Sequence, residues 1–370
     1  GWLGDYIVDT GQGDDALARY VARFVNIPQL TPPGQVFSYN NAALALAGRV
    51  IEVVTGGSYE RALRDLLIDP LGLGHSRVFP DEIIGFNIAA SHNVIDGRAV
   101  VDAAEYRIPR AINPAGGLIS SARDLLRYAR FHLGDGTVPG GGPRLLTEQS
   151  LLAMRSNPGP GGTLIVELDG MGVTWMLRPT AEGPRVVQHG GDLPGQHSGF
   201  LMVPDRRYAM IMLTNSEGGP LLLDDLFADD WALRRFAGVS NRPAVPLSLS
   251  PSELAPYEGT YVVLLVNPDG SVGELPLTVV GENGQLAIKA DDVVLGRLAF
   301  YRRDYVLILD PEGRPTSTRG DFVRGADGNV AWLRVGGRLY RHILEQGARL
   351  SRTAKPGATT PARVALLRRL

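Results

Sequence analysis

The sequence predicts an α+β fold followed by a separate β domain, and three observations support that prediction. Helix-like and strand-like patterns alternate over residues 1–240. A proline-rich stretch at 241–253 is typical of a linker. From 254 to 345 the chain holds only strand patterns and closely spaced turn clusters, which predict a small antiparallel barrel or sandwich. Residues 346–370 form a basic tail, which we expect to be solvated.

The composition of the 370 residues excludes several classes of protein. A net charge of −2 does not give the basic footprint that a general nucleic-acid binder needs. Apolar runs stay well below the roughly 18 residues of a membrane-spanning helix. The absence of cysteine excludes disulfides, thiolate metal sites and a cysteine nucleophile. The six histidines follow no zinc-binding spacing, so we expect neither a metal nor an organic cofactor.

Several segments of the first 240 residues have the apolar spacing of helices. They cover residues 14–25, 41–54, 59–67, 122–133 and 220–236. Ser58 and Ser121 stand where N-cap residues are expected, and Gly56 stands where the second helix should end. These features predict helices with defined starts and stops.

Strand patterns occupy the part of this region between the last two helices. They cover residues 170–178, 185–189, 198–203 and 208–214. Pro204 and Asp205 begin a hairpin connection between the last two strands. The final strand is almost continuously apolar, which is typical of a strand covered on both faces.

The first group that suits chemistry is Tyr39-Asn40-Asn41, between an extended segment and a buried helix. A phenol can transfer protons if a neighbouring cation lowers its pKa, and an amide can orient a substrate carbonyl. The alternative is structural: a core tyrosine followed by an asparagine N-cap. Taken alone, this tripeptide favours the structural interpretation.

The second group is His189-Gly190-Gly191, at the end of a predicted strand and before Asp192. Paired glycines allow a substrate to approach a strand edge closely, and an imidazole there can stabilise negative charge. A tight turn beside a surface histidine is the alternative. A third segment, residues 113–121, is a glycine turn that leads into a capped helix, and we interpret it as architectural.

In combination and in order, these segments resemble a known family. The matching motifs are residues 33–42 around Tyr39, Pro114-Ala115-Gly116-Gly117 before Ser121, His189-Gly190-Gly191, Pro204-Asp205, and residues 66–73 and 213–216. Over about residues 1–236 the chain resembles the class C type serine β-lactamase and penicillin-binding-protein family, which includes esterases, D-aminopeptidases and DD-peptidases. The resemblance implies a β-lactamase/transpeptidase-like antiparallel sheet flanked by helices. The C-terminal part is similar to the β-barrel-like domain that some members append.

The resemblance also implies roles for the site residues. Tyr39 and Asn41 take the tyrosine and asparagine of the Tyr-x-Asn motif, so Tyr39 would pass a proton to the leaving group and Asn41 would hold the substrate amide. His189, Gly190 and Gly191 match the Lys-Thr-Gly motif in a histidine form common among esterases and peptidases. The backbone N–H of Asp192 would supply half of an oxyanion hole. The implied reaction is serine acyl transfer on a peptide, ester or β-lactam-like substrate, with the histidine favouring substrates other than β-lactams.

One motif of the family is missing from the sequence. The family's nucleophile lies in Ser-x-x-Lys, but here the residues three before Lys289 and Lys355 are Leu286 and Arg352. The family places this motif upstream of the tyrosine, followed by a segment that often ends His-Thr-Ser-Gly, and the present sequence begins with Gly1. We expect a cleaved protein whose nucleophile lies on a separate N-terminal fragment, a partner that would also cover the apolar strand 208–214.

The missing motif is also compatible with a shortened form of the protein, or with a pseudoenzyme that never had it. The competing functional class is a non-catalytic β-lactamase-like binding or scaffold protein, and the C-terminal domain could itself bind a ligand. The resemblance favours a periplasmic or secreted location, and the sequence is compatible with the cytoplasm as well.

Overall fold

The computed structural model describes residues 2–3, 5–102, 108–156, 159–228 and 231–343. The predicted tail at 346–370 and the last two residues of the predicted β domain lie outside these ranges. The helices are α1 (Ala16–Val21), α2 (Asn41–Thr55), α3 (Tyr59–Leu63), α4 (Asp69–Leu71), α5 (Asn113–Gly116), α6 (Ala122–His132), α7 (Glu148–Ser156), α8 (Gly219–Leu223) and α9 (Pro251–Leu254). Further 3₁₀ turns cover Ala22–Asn26, Pro80–Ile83, Arg110–Ile112, Pro204–Arg206 and Ala255–Tyr257, and π turns cover Arg64–Ile68, Asp224–Ala228 and Leu233–Ala237.

The first part of the chain contains an antiparallel sheet whose five strands follow sequence order. These strands are β5 (Gly170–Met171), β6 (Met176–Arg178), β7 (Val186–Leu193), β8 (Gln196–Val203) and β9 (Tyr208–Thr214). Two small hairpins precede it, β1 (His92–Ile95) with β2 (Arg98–Val101) and β3 (Gly162–Thr163) with β4 (Glu167–Leu168). The single strand predicted over 170–178 is therefore two short strands joined by a turn.

Helices cover both faces of this sheet. On one face, Ala129 of α6 packs with Trp175, Leu177 and Met202. On the other face, Leu233 packs with residues of β7 and β8. Burial of these apolar side chains supplies the main stabilisation of the layers. The predicted arrangement of an antiparallel sheet flanked by helices is confirmed.

Helix α2 begins and ends at residues that the sequence pattern indicated. The Asn40 side chain accepts a hydrogen bond from the amide of Ala42 at 2.9 Å, which caps the helix. Gly56 ends it in the left-handed conformation, with φ +71°. A Cβ at Gly48 would lie 2.2 Å from Cγ of Pro114, so the helix packs closely on the Pro114-Ala115-Gly116-Gly117 segment. This packing supports the architectural interpretation of that segment.

Strand β9 lies at an edge of the sheet in the part of the chain that the structure describes, because its only strand partner there is β8. Its side chains are half-buried apart from that of Leu213, which is 43% exposed. The apolar pattern predicted a strand buried on both faces, and the described residues do not bury it to that extent. Helix α2 likewise exposes apolar side chains at Val50, Val53 and Val54, the last of them 78% exposed. An unpaired apolar strand edge and an uncovered apolar helix face are each suited to contact with another segment.

The C-terminal part forms a closed barrel of eight antiparallel strands. They are β10 (Gly259–Val266), β11 (Val272–Glu282), β12 (Gln285–Ala290), β13 (Val293–Arg302), β14 (Tyr305–Leu309), β15 (Pro315–Arg324), β16 (Val330–Val335) and β17 (Arg338–Ile343). Tyr261, Phe300 and Phe322 fill its interior together with aliphatic side chains. The prediction of a barrel is confirmed, and no helix in the described ranges is long and apolar enough to cross a membrane.

Buried polar contacts join the barrel to the first part of the chain. Asp321 accepts a hydrogen bond from Thr163 Oγ1 at 2.6 Å and lies 3.3 Å from Nη1 of Arg334. Glu167 forms a second junction, with Arg302 Nη2 at 3.0 Å and Arg242 Nη1 at 3.3 Å. A displacement of the barrel would separate these buried partners and leave a charge without compensation. These contacts therefore hold the barrel in one position.

Candidate active site

Tyr39 and His189, which the sequence singled out separately, lie together in the fold. Tyr39 ends the extended segment before α2, and His189 lies on β7. Their ring centroids are 6.2 Å apart, with the planes inclined at 39°. The two motifs are therefore neighbours in the fold, and we refer to the region around them as the cleft.

The environment of Tyr39 keeps its phenol protonated. Burial is the largest cause of its raised pKa, and the charges of Asp5 and Asp192 add to it. The Arg338 guanidinium acts in the opposite direction but does not reverse the shift. In the described chain Tyr39 is therefore a proton donor at neutral pH, and its conjugate base would be strongly basic.

Asn41 is the first residue of α2, and a carboxylate fixes its side chain. Its Nδ2 donates a hydrogen bond to Oδ2 of Asp5 at 3.0 Å. Because a carboxylate only accepts hydrogen bonds, this contact assigns the amide nitrogen to Asp5 and leaves Oδ1 of Asn41 able to accept from another group. That orientation suits recognition of an N–H donor such as a substrate amide.

The structure adds two residues that the sequence analysis did not identify, Asp5 and Arg338. Arg338, at the start of β17, places its guanidinium carbon 4.7 Å from the ring centroid of Tyr39. Its Nη2 lies 2.8 Å from both carboxylate oxygens of Asp5. Neither residue lies in a recognisable motif, and only the docking of the barrel brings them together.

His189 is partly buried, and burial lowers its pKa below the ordinary 6.5. Its Nδ1 lies 2.6 Å from the carbonyl oxygen of Gly190. Since that oxygen only accepts, Nδ1 carries the proton and Nε2 of the neutral ring is an acceptor. At neutral pH this histidine thus offers a lone pair at Nε2, which does not favour the stabilisation of negative charge considered from the sequence.

Gly190, Gly191 and Asp192 lie on the part of β7 that extends beyond β6. Strand β6 pairs with β7 only as far as Gln188, whereas β8 pairs with it as far as Leu193. In an antiparallel ladder the amides point alternately to the two sides. Leu193 and Gln196 form the pair that closes the hairpin, so the amide of Leu193 points toward β8. The amide of Asp192, one residue earlier, therefore points away from β8, toward the edge that β6 leaves open. A substrate carbonyl at this edge would meet that donor.

The Asp192 side chain is held by a neighbouring histidine. It is hydrogen-bonded to Nδ1 of His197, a buried residue directly opposite on β8. Nε2 of His197 lies 3.9 Å from a carboxylate oxygen of Glu217. From the sequence, His197 could line the cleft or belong to the hairpin. It lies on β8, in contact with the cleft residue Asp192.

The remaining histidines lie elsewhere. His92 lies beside Asn215, His75 is exposed beside Asp124, and His342 belongs to β17 of the barrel. His132 is buried against Tyr128 and Trp175. Within the described ranges, no group of three or more histidines and carboxylates could hold a metal ion.

The cleft therefore supplies several components of an acyl-transfer site. It has a protonated phenol, an oriented amide, a neutral imidazole and a backbone donor on an open strand edge. Together these groups can bind an acyl substrate, stabilise an oxyanion and protonate a leaving group.

Comparisons with known proteins relate the chain to a family. The model of the beta-lactamase family matches residues 3–232. Penicillin-binding protein 4 of Amycolatopsis lactamdurans is 37% identical over 266 residues, which are 70% of this chain and 68% of that protein. An unguisins hydrolase of Aspergillus violaceofuscus is 24% identical over 237 residues, 59% of this chain and 42% of its own.

Solved structures extend the likeness to the barrel. The crystal structure of SurE has a TM-score of 0.67 and 29% sequence identity, covering 91% of this chain and 76% of SurE. The crystal structure of SurE with D-Leu has a TM-score of 0.63 and 27% identity, with the same coverage. Because the coverage exceeds the residues that the family model matches, the likeness includes much of the C-terminal part.

Proposed function

The chain belongs to the beta-lactamase family, a family of hydrolases, and we propose that it forms the larger part of a serine hydrolase that acts through an acyl-enzyme. The observation that carries the proposal is the proximity of the Tyr39 and His189 rings, whose centroids are 6.2 Å apart, with His189 on the strand β7 that β6 leaves partly unpaired. The attacking hydroxyl would come from a Ser-x-x-Lys segment that is not among these 370 residues.

In the proposed acylation, the serine oxygen attacks the substrate carbonyl carbon, and the serine proton passes to the lysine of its own motif. The oxyanion that develops accepts a hydrogen bond from the amide of Asp192. When the bond to the leaving group breaks, the Tyr39 hydroxyl gives its proton to the departing nitrogen or oxygen.

Deacylation reverses the role of the tyrosine. The Tyr39 phenolate takes a proton from the attacking water, whose oxygen bonds to the acyl carbon. The serine oxygen leaves and recovers its proton from the protonated lysine, so the acid product is released and the free enzyme is restored. The raised pKa of Tyr39 makes its phenolate a strong base for this step.

We propose amides or esters of D-amino acids as the substrate class. One crystal structure of SurE holds D-Leu, and the present chain is 27% identical to that protein. The neutral state of His189 supports substrates other than β-lactams, because a neutral imidazole accepts a hydrogen bond and does not attract a carboxylate as a cation does. The Asn41 side chain, whose Nδ2 is bonded to Asp5, presents Oδ1 to a substrate N–H.

The uncovered surfaces of the described chain support a separate nucleophile segment. Strand β9 has room for another strand along its free edge, and α2 exposes Val50, Val53 and Val54. A segment that contributes a helix and strands would bury both surfaces. We therefore propose that the Ser-x-x-Lys segment pairs with β9 and packs on α2, either as a cleaved fragment or as an extension of the chain.

The alternative is a non-catalytic binding protein that keeps the cleft. Turnover assays of the native protein distinguish the hydrolase from the binding protein. Their substrates are D-leucine p-nitroanilide, its L-enantiomer and a chromogenic β-lactam. The proposal expects hydrolysis of the D-amide well above the β-lactam. Saturable binding of the D-amide without release of p-nitroaniline would support the binding protein instead.

A further inference from the structure

The turn between β16 and β17 of the barrel lies directly against the catalytic-domain segment that carries Tyr39. The amide of Tyr39 donates to the carbonyl of Gly337 at 2.8 Å. Gly337 has φ +71°, and a Cβ there would lie 3.0 Å from Cβ of Tyr39 and 2.4 Å from Cδ1 of Leu164. A side chain at this position would push the two segments apart, so glycine permits the close contact.

The next residue, Arg338, contacts the same segment through its side chain. Its Nη1 donates to the carbonyl oxygen of Tyr39 at 2.7 Å. The backbone of Tyr39 is thus bonded through its amide to Gly337 and through its carbonyl to Arg338. These contacts fix where the Tyr39 backbone, and hence its ring, can lie.

The other end of the Arg338 guanidinium binds Asp5. Nη2 lies 2.8 Å from both carboxylate oxygens, and the two side chains are only 10% and 16% exposed. Oδ2 of the same carboxylate accepts from Nδ2 of Asn41. The chain of contacts therefore runs from the barrel through one carboxylate to the amide whose orientation the proposed reaction needs.

We infer that Arg338 is a positioning residue of the active site, through which the C-terminal barrel holds Tyr39 directly and Asn41 by way of Asp5. The effect of Arg338 on catalysis rests on the proposed function, because Tyr39 and Asn41 have their catalytic and binding roles only in that proposal. It follows that the barrel is part of the catalytic unit and not an appended binding domain. A misplacement of about 1 Å in such groups costs on the order of 10²-fold in rate.

The test compares Arg338→Met with Arg302→Met in the native protein, including its nucleophile segment. Both substitutions remove an arginine–carboxylate contact between the barrel and the first part of the chain, but Arg302 binds Glu167 and does not contact Tyr39 or Asn41. We expect Arg338→Met to lower kcat by about 10²-fold with little change in KM. Arg302→Met should leave kcat within about twofold, and it should lower the melting temperature less because Arg302 is 43% exposed. Arg338→Lys keeps the charge without the planar fork and should restore part of kcat.

A second readout does not depend on turnover. Selective ¹⁵N labelling of asparagine, assigned with Asn41→Asp, reports whether the side-chain amide protons of Asn41 are protected from exchange. Protection should be lost in Arg338→Met and kept in Arg302→Met. Equal kcat losses in the two variants, or unchanged protection in Arg338→Met, would overturn the inference. A wild-type protein without turnover would contradict the proposed function alone, since the exchange measurement still tests the inference.

Discussion

The rings of Tyr39 and His189 lie with their centroids 6.2 Å apart and their planes inclined at 39°, and both rings are neutral at neutral pH. Burial has opposite effects on their two pKa values, raising that of the phenol and lowering that of the imidazole. One ring is therefore a hydrogen-bond donor and the other an acceptor over the same pH range.

Replacement of Tyr39 by phenylalanine should remove most turnover and leave the fold intact. The hydroxyl is the proposed proton donor to the leaving group, and general acid–base groups contribute about 10²–10⁴-fold in rate. The matched control is Tyr301→Phe, which removes a hydroxyl bonded to Glu167 at the contact with the barrel. Steady-state kinetics and thermal melts of both variants provide the measurement. Equal activity of Tyr39→Phe and wild type would exclude Tyr39 as the proton donor.

The pH dependence of acylation should report the neutral form of His189. Because burial lowers its pKa, the ring stays uncharged until the pH falls below 6.5. We expect the acylation rate to decline only below that pH, as Nε2 gains a proton and stops accepting a hydrogen bond. His189→Gln should lose this acid limb, and His75→Gln, at an exposed histidine, should keep it. An acid limb centred above 6.5 in the wild type would argue against a neutral His189.

The two glycines after His189 should differ in their tolerance of alanine. A Cβ at Gly190 would lie 2.8 Å from the backbone oxygen of Ser198, whereas a Cβ at Gly191 would lie 2.7 Å from the Ser198 hydroxyl. A hydroxyl can rotate away but a strand carbonyl cannot, so Gly190→Ala should cost about 1–3 kcal/mol of stability. Gly191→Ala should cost less, and Ser198→Ala should relieve that cost. Urea unfolding of the single and double variants measures both effects. The prediction would be wrong if Gly191→Ala lost more stability than Gly190→Ala and Ser198→Ala did not restore it.

Protein stability should fall as the pH drops because of His132. Burial first, and the charge of Arg155 second, lower its pKa from 6.5 to about 4. Between those values the unfolded chain binds a proton that the folded chain excludes, so stability decreases with falling pH. From pH 7 to pH 5 this amounts to about 2 kcal/mol for His132 alone. Urea unfolding at both pH values measures this change in the free energy of unfolding. In His132→Leu the change should be smaller than in the wild type by about 2 kcal/mol. The same pH dependence in variant and wild type would refute the prediction.

Local sequence patterns predicted much of the fold because short-range chemistry determines it. Ser121 accepts a hydrogen bond from the amide of Asp124, as expected of an N-cap, and Gly56 ends α2 in the left-handed conformation. Strand β9 runs from Tyr208 to Thr214, the range that its apolar pattern indicated. The domain boundaries at 240 and 254 stay predictions.

The parts of the site that the sequence did not predict depend on long-range packing. Asp5 and Arg338 come from nearly opposite ends of the chain, and each alone is an ordinary charged residue. Their pairing depends on where the barrel lies against the segment that carries Tyr39, which no periodicity encodes. The neutral state of His189 likewise arises from burial, and burial depends on the assembled cleft. Tyr39, Asn41 and His189 could be proposed from the sequence because they match a family motif.

The most direct test of a site shared with a separate nucleophile is to label the native protein with a fluorophosphonate and locate the adduct by mass spectrometry after denaturation. We predict one adduct on the serine of a Ser-x-x-Lys segment outside these 370 residues, and strongly reduced labelling in Tyr39→Phe. An adduct on a serine of the present sequence, or no adduct on a native protein that contains such a segment, would contradict it.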